Sequence, residues 1–287
     1  MIKVIKSIVW KLISLLPTKI EYLVLYVMFK NKLPNFFSPR DYSEFIARDI
    51  FFNRNNKKAY LADKYKVREY VKQKGLEQTL TKLYGVWDNA NKINFDLLPN
   101  KFALKLNHSC GMNIICTDKD KLNFNDTINQ LNLWLNSKHP ITYESHYNRI
   151  YPLIICEEYI SDEKGIFPMD YKVHCAHGEP IFIQLAFDRD EYTPGRRIIY
   201  DTNWKNLHYV INNDEHFANI EVPRPIHLEE MLNYASILSN GLDYARIDFY
   251  DTQDKVFFGE ITLTPMGGWL SYFKQEALDL MGNRIRK

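Results

Sequence analysis

Two acidic residues near the end of the chain have the spacing of a divalent-metal site. Arg246, Asp248 and Tyr250 occupy alternate positions of one apolar segment, and Glu260 lies in the next. Alternate positions of a strand share a face, so a hairpin would bring Asp248 and Glu260 within about 7–8 Å. Such a pair suits Mg²⁺, which prefers oxygen ligands. Arg246 beside it would neutralise a transferring phosphoryl group.

The register of this hairpin decides whether the two carboxylates meet. A three-residue turn pairs Asp251 with Lys255 and Asp248 with Phe258, which leaves Glu260 diagonal to Asp248 on the same face. A four-residue turn moves Glu260 to the opposite face. We therefore predict either an odd turn or a β-bulge. A surface hairpin with solvated charges is the alternative, and the apolar residues around the carboxylates argue against it.

Two further segments are candidates for nucleotide contacts. Lys105 lies near the end of an apolar segment, and the polar loop Asn107–Gly111 follows. Backbone N–H groups of such a loop can cradle phosphate while the lysine supplies charge, although a plain hairpin turn fits equally because the P-loop pattern is missing. Glu157–Ile160 ends another apolar segment, which indicates either a hinge against a purine edge or a strand end with solvated carboxylates.

These residues need strands to position them, and the sequence pattern supplies strands from residue 101 onward. We predict strands over 101–107, 113–117, 153–160, 171–176 and 181–187, and a final hairpin of 244–250 with 255–263. We predict helices over 41–50, 59–74, 76–91, 126–137 and 227–240. The predicted fold class is α+β, with a helical N-terminal third followed by antiparallel strands and a few helices.

Taken in order, the motifs resemble the ATP-grasp superfamily, and most closely its TupA-like branch, which is often linked to bacterial surface polysaccharides. The resemblance rests on Asp63–Val71, Lys105–Gly111, Glu157–Ile160, Asp170–Lys172 and Arg246–Pro265. As a set these motifs are specific, whereas no single one is. The resemblance implies an ATP-grasp fold, in which antiparallel sheets carry flanking helices.

The resemblance also implies a role for each matching residue. Phosphate contacts of ATP would come from Arg68, Lys105, His108, Ser109 and Gly111, and the adenine hinge from Glu157, Glu158, Tyr159 and Ile160, with Asp162 or Glu163 on the ribose. Catalytic roles would fall to Arg246 and Lys172, and Mg²⁺ would bind Asp248, Glu260 and Thr262. Thr262 stands where many members of the superfamily carry a metal-binding Asn. The implied cofactors are ATP and Mg²⁺.

The reaction implied by the resemblance joins a carboxylate to an amine through an acyl phosphate. The acid would be a uronic acid of a bacterial capsular or cell-wall polysaccharide. An alternative is a metal-dependent nucleotide-sugar glycosyltransferase that uses a D-x-D motif, either Asp118–Asp120 or Asp188–Asp190. A third hypothesis is a non-catalytic membrane-docked module, against which the intact Lys105, Arg246, Asp248 and Glu260 argue.

Composition excludes several other classes of protein. The 287 residues are 46% hydrophobic and 25% charged, which is typical of a folded globular chain. The balance of 37 basic and 35 acidic residues argues against a nucleic-acid partner. Four cysteines without a C-x-x-C pair predict a reduced, cytoplasmic location.

The basic residues concentrate at the N-terminus. Residues 1–40 hold seven basic residues and one acidic residue. Residues 2–16 show helical spacing of apolar side chains without a cleavage site, so a secretory signal is not predicted, and the apolar run of residues 22–29 is too short to span a bilayer. Two interpretations stay open, a helical hairpin packed on the body or a basic helix lying on an anionic membrane.

The predicted organisation has two parts. Residues 1–58 form a helical N-terminal segment, with peripheral contact to the inner membrane through residues 1–30 as one option. Residues 59–287 form the catalytic region, of which about residues 101–160 bind the nucleotide and residues 161–287 hold the metal and the catalytic groups.

Overall fold

Two antiparallel β-sheets carry the candidate residues in the computed structural model of the protein. The structure describes Ile13 and residues 15–52, 56–137, 142–161, 168–187, 196–211 and 220–287. The two sheets with their helices confirm the predicted α+β class.

The smaller sheet has the strand order β1–β4–β2–β3, and the larger has the order β7–β6–β5–β8–β9. The strands of the smaller sheet are β1 (Leu83–Trp87), β2 (Phe102–Leu106), β3 (Asn113–Cys116) and β4 (Ile154–Glu158). Those of the larger sheet are β5 (Asp170–Ala176), β6 (Glu179–Phe187), β7 (Arg196–Tyr200), β8 (Ala245–Asp251) and β9 (Val256–Thr262). Neighbouring strands pair antiparallel in both sheets.

Seven α-helices flank these sheets in the described part of the chain. They are α1 (Thr18–Lys30), α2 (Tyr42–Phe52), α3 (Asn56–Ala62), α4 (Val67–Gln73), α5 (Phe124–Leu135), α6 (Leu228–Ser239) and α7 (Gln275–Arg286).

The larger sheet has one apolar and one charged face because its side chains alternate. Val173, Ile247 and Phe249 are buried in a core cluster that also includes the inner side of α6. The residues between them point to the other face. This alternation places Lys172 and Asp248 together on the side away from α6.

Most predicted elements are confirmed within a few residues, but the helix over 76–91 is wrong. That stretch contains β1, which pairs with β4, and its Tyr84, Val86 and Trp87 are of types that favour strands. The predicted helix over 59–74 is broken between α3 and α4, where Asp63 Oδ1 accepts the backbone N–H groups of Tyr65 and Lys66. Neither β7 nor α7 was predicted.

Helix α1 confirms the second predicted N-terminal helix and packs on the body of the protein. The Tyr22 hydroxyl donates to the carbonyl of Gly267 at 2.9 Å, and the Tyr22 ring stacks on Trp269 at 5.4 Å. Most of the predicted helix over 2–16 lies outside the described residues. Within the described ranges, no helix has both the length and the apolar character required to cross a membrane. The domain boundaries given above stay predictions.

Candidate active site

The β8–β9 hairpin brings the two predicted metal-site carboxylates directly opposite each other. The strands pair Asp251 with Val256 around a four-residue turn, so the three-residue turn was wrong. The predicted β-bulge is present, because the register shifts between Phe249 and Asp248. As a result Asp248 faces Glu260 across the ladder.

Gly259 is the extra residue of this bulge. A Cβ atom at Gly259 would lie 2.9 Å from the backbone carbonyl oxygen of Asp248, closer than van der Waals contact permits. The bulge therefore requires glycine, which has no side chain, at this position. It turns Glu260 onto the charged face of the sheet.

Arg246 joins the two carboxylates. Its Nε and Nη2 atoms donate to the two oxygens of Asp248, each at 2.7 Å, and Nη2 also donates to Glu260 Oε1 at 2.7 Å. Thr262 completes the group, since its hydroxyl accepts from Arg246 at 3.1 Å and donates to Glu260 at 3.0 Å. In this arrangement Thr262 positions the two charged side chains.

Lys172 approaches Asp248 from the neighbouring strand. Its Nζ donates to Asp248 Oδ2 at 2.6 Å and also contacts Asp170 Oδ2. Burial alone would raise the pKa of Asp248, but Arg246 and Lys172 hold it below its ordinary value. Burial raises the pKa of Asp170, and its Oδ1 is buried without a hydrogen-bond partner in the described structure. Asp170 lies in one of the matching motifs, but no residue type or spacing in the sequence predicted a role for it.

The smaller sheet carries a second charged group, centred on Glu157. Lys105 Nζ donates to Glu157 Oε2 at 2.9 Å, and Arg68 Nη1 donates to Oε1 at 2.8 Å. Arg68 is fixed by Thr81 as well, through its backbone carbonyl at 2.6 Å. Burial would raise the pKa of Glu157, but the charges of Lys105 and Arg68 lower it. The structure thus brings together the two cations predicted to contact phosphate.

The segment predicted to be the adenine hinge begins at Glu157. Its two carboxylates form hydrogen bonds within the protein. The carboxylate of Glu157 is taken up by Lys105 and Arg68, while Glu158 pairs with the neighbouring segment through the backbone N–H of Lys82. Ile160 is buried and Tyr159 is half-buried. The ribose candidates Asp162 and Glu163 lie outside the described residues.

The Asn107–Gly111 loop is anchored at its first residue. Asn107 Nδ2 donates to Asp63 Oδ1 at 2.9 Å, and its Oδ1 accepts the N–H of Leu153 at 2.7 Å. Side chains of His108 and Ser109 are buried, whereas Gly111 is exposed in the left-handed region with a φ of 73°. The loop can therefore offer backbone N–H groups rather than these side chains to a phosphate.

Tyr250 interacts electrostatically with carboxylates of both charged groups. Burial raises the pKa of Tyr250. The negative charges of Asp170, Glu260, Asp248 and Glu157 raise it further. The Glu260 charge also helps burial to raise the pKa of Cys110 in the Asn107–Gly111 loop.

Behind Arg246, a buried polar network closes the site. His174 is paired with Arg246 in the ladder and hydrogen-bonds the Tyr244 hydroxyl at 2.8 Å and Gln184 at 3.3 Å. Burial and the Arg246 charge lower the pKa of His174 well below its ordinary value. His174 is therefore a fully buried, hydrogen-bonded side chain of the sheet. Gln184 had no sequence signal, because its place depends on strand register.

The donor set fits Mg²⁺ in combination with a nucleotide. Across the described ranges, no three His, Cys, Asp or Glu side chains are grouped closely enough to hold a metal by themselves. Mg²⁺ usually takes one or two carboxylates and completes its shell with phosphate oxygens and water. Asp248 and Glu260 are such a pair, and the orphan Asp170 Oδ1 is a further oxygen in the same group.

The D-x-D segment at Asp118 is a turn. The Asp118 side chain accepts the backbone N–H of Asp120 at 3.3 Å and pairs with Lys121 at 2.9 Å. The second segment, Asp188–Asp190, lies outside the described residues.

Two antiparallel sheets with this motif order define an ATP-grasp protein. The chain belongs to the TupA-like ATP-grasp family, whose sequence model matches residues 45–286. Family membership supports an ATP-dependent ligase. Comparison with curated protein sequences gives no match.

Solved structures of ATP-grasp ligases are similar at low sequence identity. D-alanine–D-alanine ligase from Bacillus anthracis aligns with a TM-score of 0.46 and 17% identity over 79% of this chain and 68% of its own. The ATP-grasp ligase PsnB, solved with a minimal precursor, gives 0.45 and 12% over 81% and 62%. N5-carboxyaminoimidazole ribonucleotide synthetase gives 0.44 and 9% over 71% and 45%. The chain thus spans less than two thirds of the last two proteins.

Proposed function

We propose that this protein is an ATP-dependent carboxylate–amine ligase that forms an amide through an acyl phosphate. The acid in this proposal is a uronic acid of a bacterial capsular or cell-wall polysaccharide. Support for a ligase comes from the family match, and the sugar acid rests on the family resemblance of the motifs.

The observation that carries the proposal is the division of charge between the two groups, which the proposal places in one nucleotide-binding cleft. The group around Glu157 has two cations and one carboxylate, whereas the group around Asp248 has three carboxylates and two cations. The first group suits the phosphates of a nucleotide, and the second suits a divalent cation. A cleft divided in this way can orient Mg²⁺-ATP with its terminal phosphate beside Arg246.

Each residue then has a defined task. Lys105 and Arg68 bind the phosphate chain, while Asp248 and Glu260 hold Mg²⁺, which would neutralise phosphate charge. A substrate carboxylate oxygen attacks the terminal phosphorus as ADP leaves, and Arg246 and Lys172 stabilise the transferring charge. An amine nitrogen then attacks the acyl carbon and releases inorganic phosphate, with the loss of one proton.

The test measures ADP release with Mg²⁺-ATP, D-glucuronate as the acid and hydroxylamine as the amine, together with the hydroxamate formed. We expect Asp248→Asn and Glu260→Gln to abolish both signals, because each removes one oxygen charge from the metal pair. Asp118→Asn is the matched control, since it makes the same change in a turn outside the cleft. Normal turnover in both cleft variants would refute the assignment.

Nucleotide binding separates this ligase from the glycosyltransferase alternative. A ligand at about 100 times its Kd adds about 2.7 kcal/mol to the free energy of unfolding. We expect Mg²⁺-ATP or ADP to raise the melting temperature of the protein and the Asp118→Asn variant, and not of Asp248→Asn. A rise with UDP-sugar or GDP-sugar alone would overturn the proposal.

A further inference from the structure

Exposed apolar side chains concentrate at the N-terminal end of the described chain. Of 19 exposed large hydrophobic residues, nine lie within residues 15–52. They are Leu15, Leu16, Ile20, Val27, Met28, Phe29, Leu33, Phe37 and Phe52. We call these side chains, with the cations among them, the N-terminal surface. A concentration of exposed apolar side chains of this kind usually marks an interaction site.

Helix α1 contributes an apolar face on each side. Its inner face carries Tyr22 and Tyr26, which are fully buried against the body of the protein. Its outer face carries Ile20 and Val27, which lie two helical turns apart on one side and are 49% and 38% exposed. A helix that is apolar all round is normally buried or in contact with lipid. The outer face of α1 therefore requires a partner.

The charges around this face select an anionic partner. Within residues 15–52 the acidic residues are Glu21, Asp41, Glu44 and Asp49. The first three are buried, and Asp49, which is 30% exposed, is paired with Lys58. The basic residues Lys19, Lys32, Arg40 and Arg48 are exposed in the same stretch, although Lys32 is paired with Asp41 and Glu44. The accessible charge of the N-terminal surface is therefore positive, although its acids and bases are closer to balance in the sequence.

We infer that the N-terminal surface docks the protein peripherally on an anionic lipid bilayer. Apolar side chains on one helix face with basic residues beside them are the features that hold interfacial helices at the boundary of headgroups and acyl chains. Each basic residue near an anionic surface adds electrostatic attraction. A second copy of this chain fits less well, because it would present the same positive charge.

The helix lies on the bilayer and does not cross it. Its 13 residues extend about 20 Å at 1.5 Å per residue, which is shorter than the roughly 30 Å hydrocarbon core. The inner face is also already occupied by Trp269, which stacks on both Tyr22 and Phe29. The outer face can thus enter the headgroup region while α1 keeps its packing on the protein.

The test is co-sedimentation of the full chain with vesicles of phosphatidylcholine mixed with phosphatidylglycerol, and with vesicles of phosphatidylcholine alone. We expect binding to the mixed vesicles that weakens with added salt and little binding to the neutral ones. The double variant Ile20→Gln, Val27→Gln should lose about tenfold or more in affinity, since two half-exposed apolar side chains no longer leave water.

The matched control is Leu97→Gln, Leu133→Gln, which alters two exposed leucines (82% and 66%) outside the N-terminal surface. It should bind vesicles like the unmodified protein, and both variants should keep the melting temperature. Absence of vesicle binding, or equal binding by both double variants, would overturn the inference. Concentration-dependent dimerisation that Ile20→Gln, Val27→Gln abolishes, in place of vesicle binding, would also overturn it.

Discussion

Replacing Glu157 with Gln removes the one negative charge that Arg68 and Lys105 share. The side chains of Glu157, Arg68 and Lys105 are only 9%, 13% and 23% exposed, so water can replace little of the lost interaction. Breaking a buried ion pair from one side costs about 3–5 kcal/mol. Because the cations keep some contact with solvent, we expect a loss near the lower end, about 3 kcal/mol.

Thermal unfolding measures this loss. At about 2–4 °C per kcal/mol for a chain of this size, Glu157→Gln should lower the melting temperature by about 6–12 °C. The adjacent Glu158→Gln is the matched control. The Glu158 carboxylate accepts an exposed hydrogen bond from the Lys82 N–H at 3.2 Å, and the oxygen of Gln can still accept it. Equal melting temperatures for the two variants would refute the reasoning.

The same variant predicts a pH dependence with a definite sign. The pKa of Glu157 in the folded protein is below its ordinary value of 4.5. Its stabilisation is therefore complete above pH 4.5 and is lost as the pH falls through the folded pKa. The stability gap between the unmodified protein and Glu157→Gln should narrow in that acidic range. A constant gap down to the lowest pH at which both proteins fold would contradict this cause.

Two further predictions concern the bulge and the loop. Gly259→Ala places a methyl group 2.9 Å from the Asp248 carbonyl oxygen. Calorimetry should show a loss of about 1–3 kcal/mol in the free energy of unfolding and a smaller rise in melting temperature with Mg²⁺-ATP. No change in either quantity would contradict the packing argument. Titration of the native protein with an aromatic disulfide reagent should detect one accessible thiol that Cys110→Ser removes, because the other three cysteines are buried. Two or more thiols that react in the native protein would contradict the burial of the other three cysteines.

The sequence predicted most strands because the period-2 pattern is local. Segments such as 102–106 and 170–176 alternate or run apolar over their own length, and no distant residue is needed to recognise them. Helix α1 was predicted from its apolar run in the same way. The helix over 76–91 failed because β1 is defined by pairing with β4, 70 residues further along the chain, and that pairing has no local signal.

Within the site, the facing carboxylates could be predicted only as alternatives. Motif order brought Arg246, Asp248 and Glu260 together, but the turn length and the bulge depend on how β9 lies on β8. Use of the Glu157 carboxylate as a counter-ion could not be read from its position in an apolar strand. It follows from the meeting of α4 with the smaller sheet, which places Arg68 beside Lys105.

The bulge at Gly259 also determines which mutation at this position the hairpin tolerates best. Phe249 pairs with Phe258 and Asp248 with Glu260, so Gly259 is surplus to the pairing. A chain without Gly259 would place the same glutamate next to Phe258 in an unbroken ladder, still opposite Asp248. A chain with alanine there keeps the surplus residue and adds a steric clash. At this position a deletion is the conservative change, and the smallest possible side chain is the disruptive one.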